Sequence, residues 1–243
     1  MISVPKTALP PTLYKYYPPE RVDIIENLLI RFSAPSEFND TFDTQHQLST
    51  TLEVHPTPAQ AVIAKAKSRL AQARFRDELG VFCLTAQPDN HLIWVNYARS
   101  HTGFVVGFRT DLPFFEADGR TLREVVYQSR PPLFDSTNEE SACFYKSRAW
   151  EYEQEWRCVR RFSHTEDRLL EIEENLISEV IFGHHMELWN VARLACYIGL
   201  RNMTPAFFLS SPDHSQWRFV NKPKTVTPCE HCSGQGFLME NRD

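Results

Sequence analysis

Three glutamates at alternate positions stand out in the segment WEYEQEWR, residues 150–157, and they are Glu151, Glu153 and Glu155. In a β-strand all three would lie on one face, because side chains alternate with a period of two. Such crowding raises carboxylate pKa values unless Arg157, Lys146 or a bound cation compensates. A catalytic cleft is one setting for these carboxylates, and an exposed edge strand with solvated glutamates is the other.

A second group of candidates lies in the segment HLIWVNYARSH, residues 91–101. Trp94, Tyr97 and His101 recur at intervals of three and four residues, which places them near one face of a helix. Aromatic side chains at this spacing form either core packing or a platform for a ligand. Gly103 and Gly107 flank the strand that follows, where they indicate close backbone approach or ordinary strand and cap positions.

Several motifs of common enzyme classes do not occur in the sequence. GxGxxG, GxxxxGK and GxSxG are all missing, so we expect no dinucleotide fingerprint, P-loop or serine-hydrolase elbow. The tail contains CEHCSGQG, which is similar to one repeat of the zinc modules of the DnaJ type. Cys229 and Cys232, with or without His231, supply only half of a tetrahedral zinc site. We therefore expect a reduced CxxC segment rather than a bound metal.

The elements that must position these residues are short. The predicted strands cover residues 13–17, 30–33, 81–85, 103–108, 122–127, 155–162, 169–172, 179–182, 207–209 and 217–220. The first predicted helix begins at residue 20, and four further helices cover residues 57–79, 90–100, 139–148 and 186–200. This pattern favours a mixed α+β fold with mostly antiparallel, short-stranded sheets and flanking helices. We expect one domain over residues 1–222, followed by a tail over residues 223–243.

Composition limits the location and the partners of the chain. The sequence has 243 residues, a formal net charge of -5 and no long apolar run, and its start lacks the apolar core of a signal peptide. We therefore expect a soluble cytoplasmic protein that does not enter membranes. The helix over residues 57–79 carries a basic side opposite an apolar stripe, formed by Lys65, Lys67, Arg69, Arg74 and Arg76. This side is either a solvated face or a surface that guides a nucleic acid.

The order of the motifs resembles a known family. LYKY, RFSAPSEFNDTFD, IWVNYARSHTGFVVGF, WEYEQEWR and SEVIFG resemble the DUF2971 family of uncharacterised bacterial proteins over roughly residues 12–220, with Thr41 where that family commonly has a proline. More distantly, their order and spacing resemble the ADP-ribosyltransferase fold, especially the DarT toxins that modify DNA. Lys15 departs from that superfamily, which usually has a histidine or an arginine at this place.

This distant resemblance implies an NAD-dependent ADP-ribosyltransferase that modifies a nucleic acid or a protein, as toxins and phage-defence effectors do. It implies that Glu155 stabilises the positive charge formed when the nicotinamide bond breaks, with Glu153 as a second carboxylate. It further implies ligand contacts from Tyr14, Lys15, Tyr16, Ser33, Asn39, Asp40, Trp94 and Tyr97. Two alternatives remain open: an RNA 2'-phosphotransferase, and a non-catalytic module that binds or senses a nucleotide.

Overall fold

The computed structural model describes residues 8–44, 47–48, 57–131, 133–134, 139–163, 167–228 and 237–241. The chain divides into two units, each assembled from separate stretches of sequence. Unit 1 contains Met1–Ile30, Leu84–Phe114 and Leu170–Asp243, and unit 2 contains Arg31–Cys83 and Phe115–Leu169.

Short strands dominate both units. The strands are β1 (Thr12–Tyr17), β2 (Leu29–Arg31), β3 (Gln47–Leu48), β4 (Leu79–Thr85), β5 (Phe104–Arg109), β6 (Thr121–Glu124), β7 (Val126–Gln128), β8 (Leu133–Phe134), β9 (Tyr145–Ser147), β10 (Glu155–Arg161), β11 (Leu169–Glu171), β12 (Ile177–Phe182), β13 (Ala206–Asp213), β14 (Arg218–Pro228) and β15 (Phe237–Asn241). The α-helices are α1 (Asp23–Asn27), α2 (Pro58–Glu78), α3 (His91–Tyr97) and α4 (Leu188–Leu200). Short 3-10 turns connect several of these elements, including Arg148–Glu153.

Unit 1 is built on a large sheet in the order β15-β14-β13-β12-β5-β1. Its pairs are antiparallel except for β12 and β13, which run parallel. The central strands are buried, and Phe104, Val106 and Val180 are fully shielded from solvent. Near-continuous apolar runs of this kind are expected where both faces of a strand are covered.

Helices α1 and α4 of unit 1 pack against each other through apolar side chains. Ile24 and Ile25 of α1 and Leu194 of α4 are buried. Helix α3 begins at a good N-cap, because the Asn90 side chain accepts hydrogen bonds from the backbone N–H groups of Leu92 and Ile93. Capping fixes where α3 starts and therefore which residues of the helix reach the sheet.

In unit 2 the hydrogen-bonded strand order is β4-β10-β6, and β10 and β6 pair antiparallel. Two short parallel pairs, β3 with β8 and β7 with β9, complete its strands. Its core contains Leu79, Val81 and Phe144, each no more than 2% exposed. Helix α2 exposes much of its apolar stripe, since Val62, Ile63 and Leu70 are more than half exposed.

The mixed α+β class is confirmed, because the structure has a large, mostly antiparallel sheet and few helices. The prediction of a helix over residues 139–148 is wrong, because Glu139–Phe144 is a 3-10 turn that runs into β9. The boundary that we predicted after residue 222 lies inside β14. Among the described residues, no helix combines the length and the apolar character that crossing a membrane requires.

Candidate functional site

Arg157 is the centre of a buried charge network in unit 2. Its guanidinium makes paired hydrogen bonds to Asp43 (Nη1–Oδ1 2.8 Å, Nη2–Oδ2 2.5 Å) and to Glu155 (Nε–Oε1 2.7 Å, Nη2–Oε2 3.0 Å). A fifth bond runs from Nη1 to the Cys143 carbonyl oxygen at 2.8 Å. All five donors of the guanidinium are therefore used, which is how a fully buried arginine avoids an unsatisfied polar group.

Lys146 extends this network to the second glutamate that the sequence singled out. Its Nζ lies 2.6 Å from Glu153 Oε2 and 2.9 Å from Glu155 Oε2. Burial alone would raise the pKa of Glu155, but the charges of Arg157 and Lys146 outweigh it and lower this pKa to about 2. Burial opposes the charge on Lys146, yet Glu155 and Glu153 hold its pKa above the usual range.

Local backbone geometry brings these side chains together. The 3-10 turn Arg148–Glu153 begins at Ser147, whose hydroxyl accepts from the Ala149 N–H, and it ends at Gln154 in the left-handed conformation (φ 43°). On the other side of the network, the Asp40 carboxylate accepts from the Phe42 N–H at 2.9 Å and so fixes the turn that leads into Asp43. Asp40 therefore stabilises a turn.

The structure answers the question of where the alternating glutamates lie. The segment is not one continuous strand, because only Glu155 belongs to β10 and the two preceding glutamates lie in the 3-10 turn. Glu153 and Glu155 are each 4% exposed, so an edge strand with solvated glutamates is ruled out for them. Compensation by Arg157 and Lys146 is confirmed, and both carboxylates are already bonded to these cations.

Sequence reasoning missed Asp43. Its carboxylate is 4% exposed and binds the guanidinium of Arg157 from a position 114 residues earlier in the chain. The available signal was an acidic residue directly after the apolar side chain of Phe42 in the segment FNDTFD. A single acid in a polar loop gives no indication that its partner is a distant arginine.

A second carboxylate site lies on the sheet of unit 1. Tyr14 of β1 and Glu179 of β12 both pair with Gly107 of β5, which lies between them. Because Gly107 has no side chain, the other two meet above it, and the Tyr14 hydroxyl donates to Glu179 Oε2 at 3.2 Å. A Cβ at residue 107 would lie 2.9 Å from the Glu179 Cβ, so this glycine is required for the close approach.

The electrostatics of this pair differ from those of unit 2. Glu179 is half-buried and forms no ion pair with any residue that the structure describes. Burial raises its pKa, and the hydrogen bond from Tyr14 opposes that rise. Burial, followed by the charges of Glu179 and Asp89, raises the pKa of Tyr14 above its usual range. Within the described part of the chain, Glu179 is thus a carboxylate without a neutralising cation, beside a neutral phenol.

The remaining residues predicted to contact a ligand are distributed over both units. In β1, Tyr14 and Tyr16 share one face, whereas Lys15 lies on the opposite face, 5.9 Å from the Tyr17 ring centroid. The buried Tyr16 hydroxyl donates to the Gln87 carbonyl oxygen at 2.8 Å. Trp94 and Tyr97 belong to unit 1, and Ser33, Asn39 and Asp40 belong to unit 2. Strand alternation therefore separates Lys15 from the residues expected to share its site.

Trp94 belongs to a buried stack of rings in unit 1. It is fully buried and contacts Tyr16 edge-on at 5.1 Å between ring centroids. His101 is stacked on Trp94 at 5.2 Å and on Phe219 at 4.1 Å. His101 Nε2 lies 3.1 Å from His91 Nδ1, and burial together with His91, His185 and His184 lowers the His101 pKa to about 4. Core packing is therefore confirmed for Trp94.

We expect this stack to make the stability of the protein depend on pH. The unfolded chain protonates His101 near pH 6.5 but the folded protein only near pH 4, so the stabilising contribution is complete above pH 6.5 and is lost as the pH falls. Between pH 7 and pH 4 the loss is on the order of 3 kcal/mol. Urea unfolding at several pH values measures it.

The effect of His101 is isolated by comparing how steeply the free energy of unfolding changes with pH in different variants, rather than by comparing its value at one pH. His101 has φ 67°, so asparagine, which tolerates the left-handed region, is the least disruptive replacement. His101→Asn should flatten the slope between pH 7 and pH 4, whereas His214→Asn, at an exposed position, should leave it unchanged. Equal slopes in all three proteins would contradict the lowered His101 pKa.

Comparisons of this chain with protein-family models, with curated proteins and with solved structures found no match. Within the described ranges, no group of three or more histidine, cysteine, aspartate or glutamate side chains is arranged to hold a metal ion. The CxxC segment with Cys229 and Cys232 lies outside the described residues. The geometry of the two carboxylate sites is therefore what a functional proposal rests on.

Proposed function

We propose that the chain is an NAD-dependent ADP-ribosyltransferase whose reacting carboxylate is Glu179 of unit 1. The observation that carries this proposal is the Tyr14–Glu179 pair, in which a half-buried carboxylate that has no ion-pair partner among the described residues lies beside a phenol. Tyr14 was already expected to contact the ligand from the sequence resemblance. Glu155, the carboxylate which that resemblance implied, has both oxygens bonded to buried cations, which makes it a poorer candidate for contacting a ribose.

The chemistry requires a carboxylate that is charged and accessible. When the bond between nicotinamide and C1' of the ribose breaks, the electron pair leaves with nicotinamide and positive charge develops on the ribose. A carboxylate that accepts a hydrogen bond from a ribose hydroxyl stabilises this charge more in the transition state than in the ground state. The acceptor oxygen or nitrogen then bonds to C1' and loses its proton, and water in the same role yields free ADP-ribose.

The charges around Tyr14 suit a cationic reaction centre. The negative charge of Asp89 acts on the phenols of both Tyr14 and Tyr16 and raises their pKa values, after the larger effect of burial. Two carboxylates therefore act on the same face of β1. A site for the phosphate of an RNA 2'-phosphotransferase substrate would need cations instead, so this face favours glycosidic cleavage over phosphate transfer.

The acceptor is a nucleic acid or a protein in this proposal. Lys67 and Arg69 of the basic side of α2 are exposed, as a surface that guides a nucleic acid must be. The side chains of Lys65, Arg74 and Arg76 lie outside the described part of the helix. Transfer of label from adenylate-labelled NAD to single-stranded DNA, RNA or protein identifies the acceptor directly.

The first test is release of nicotinamide from NAD by the purified chain, with and without each acceptor. We expect turnover that depends on protein concentration and that increases with the correct acceptor. Binding of NAD in a calorimeter without any nicotinamide release would identify the non-catalytic sensor instead. The absence of both NAD binding and nicotinamide release would overturn the proposal.

Tyr14→Phe provides a test of the geometry. The Tyr14 hydroxyl donates the hydrogen bond that opposes the rise of the Glu179 pKa, so its removal raises that pKa further. The carboxylate must be ionised, and the acid limb of the pH profile of kcat/KM should therefore move to higher pH, with about a tenfold loss at the plateau. Tyr197→Phe, on α4 of the same unit and outside this hydrogen bond, serves as the control for the shift of the acid limb. An unchanged acid limb in Tyr14→Phe would show that Glu179 is not the titrating group.

A further inference from the structure

An open pocket of about 250 Å³ lies at the hairpin that joins β13 and β14 in unit 1. Neither Tyr14 nor Glu179 lines this pocket. Its lining includes His91, Asp213, His214, Trp217, Arg218 and Phe219. The volume is slightly below that of a site for a drug-sized ligand, so it suits a single planar group with part of its substituents in solvent.

Trp217 is the most unusual residue of this pocket. Its side chain is 98% exposed, and its backbone has φ 52° in a turn where glycine or asparagine would be unstrained. Core packing explains neither feature, because the indole is in solvent. A bulky residue that is both strained and exposed indicates a functional role. An exposed indole on a cavity wall is a surface on which a planar ring can stack.

A rigid aromatic wall completes the pocket. The Phe219 ring lies parallel to His91, with 5.6 Å between centroids and 6° between planes. Behind it, His101 is stacked on Phe219 and is held in turn by Trp94. Rings fixed in this way lose little conformational entropy when a ligand stacks on them.

The polar groups of the pocket suit an anion next to that ring. The Asp213 carboxylate is already held by the Ser215 N–H at 3.0 Å and the Ser215 hydroxyl at 2.6 Å. Among the described residues, the half-exposed Arg218 guanidinium bonds to Asp213 alone, through its Nε–H at 3.3 Å. Its terminal N–H groups are those that bind phosphate oxygens in two-point contacts. The exposed imidazole of His214 can add a further N–H.

We propose that this pocket binds a nucleotide, with its base stacked on Trp217 and its phosphate bound by Arg218. Base stacking on an aromatic side chain requires no base-specific hydrogen bonds, which fits a pocket whose walls are mainly rings. The nucleotide is either the adenosine half of NAD or a separate molecule. The shared chemistry, a base with an adjacent phosphate, is the same in both cases.

The test is titration of the full-length chain with adenosine monophosphate, followed by quenching of tryptophan fluorescence. We expect saturable quenching in the wild-type chain and in Trp189→Ala, a control that removes another exposed tryptophan, on α4. Trp217→Ala should lose the quenching and weaken binding, measured by calorimetry, at least tenfold. Circular dichroism confirms that both variants are folded.

A second variant separates the base from the phosphate. Arg218→Ala should weaken binding of adenosine monophosphate about tenfold and leave binding of adenosine unchanged. Competition with NAD is tested in Glu179→Gln, in which turnover is slow. Displacement of the mononucleotide by NAD would assign the pocket to the adenosine half of NAD, and simultaneous binding would assign it to a separate nucleotide. No saturable binding of the mononucleotide, or equal binding by Trp217→Ala, would overturn the proposal, whatever the result of the nicotinamide assay.

Discussion

Arg157→Met is expected to lower the free energy of unfolding by about 3–5 kcal/mol. The guanidinium makes five hydrogen bonds to Asp43, Glu155 and the Cys143 carbonyl. Methionine fills similar space but leaves two buried carboxylates without these donors. Lys146 then remains beside Glu153, Glu155 and Asp43, and a single ammonium cannot replace the paired bonds of a guanidinium.

Urea unfolding measures this loss when the slope of the free energy of unfolding against urea concentration is fixed at the wild-type value. The matched control is Arg161→Met on the same strand, whose side chain is 53% exposed and whose ion pairs with Glu78 and Glu140 are long. Exposed pairs contribute about 0–1 kcal/mol, so the control should remain close to wild type. A loss below 1 kcal/mol in Arg157→Met would mean that the buried network contributes little to stability.

Glu179→Gln is expected to reduce kcat/KM for nicotinamide release by about 10²–10³-fold, the size of effect seen when one electrostatic contact to a transition state is removed. Glutamine preserves the shape of the side chain and can still accept from the Tyr14 hydroxyl, but it carries no negative charge. The loss should appear mainly in kcat, because the charge on the ribose develops only in the transition state. Steady-state kinetics at a pH well above the raised Glu179 pKa measures both constants.

Glu155→Gln is the variant that distinguishes the two carboxylates. It removes a charge from the buried network of unit 2, so we expect a lower unfolding midpoint with turnover within about tenfold of wild type at a temperature where the protein stays folded. The opposite result, with turnover lost in folded Glu155→Gln and kept in Glu179→Gln, would restore the assignment that the sequence resemblance implied. Circular dichroism at the assay temperature separates loss of fold from loss of chemistry.

The sequence predicted most of the elements and fewer of the contacts. Strand β10 and the start of α3 close to residue 90 follow from local patterns, because periodicity and helix initiation depend on neighbouring residues. The three alternating glutamates do not share one strand, because a 3-10 turn and a left-handed Gln154 separate Glu151 and Glu153 from β10. Compensation of their charges by Arg157 and Lys146 was predictable because these residues are close in sequence.

The side-chain pairs on which the candidate site depends join residues that are distant in the sequence, and a single sequence cannot predict such pairs. Glu179 lies in the segment ISEVIF, where a single acid resembles an ordinary outward-facing strand residue. Its role depends on Tyr14, 165 residues away, and on a glycine in the strand between them. The glycine at residue 107 was noted as a site of close approach, but the two side chains that use it are known only from the register of three strands.

The bond between Asp43 and Arg157 also constrains how the protein can fold. These residues are 114 positions apart, and the chain between them includes Leu84–Phe114 of unit 1. During synthesis, Asp43 leaves the ribosome long before its partner exists, and unit 2 cannot complete its core charge network until residue 157 has emerged. Contacts of such sequence separation slow folding because a long loop must close first. Nascent chains that end before residue 157 should therefore expose the loop around Asp43 to proteases, and extension past this residue should protect it.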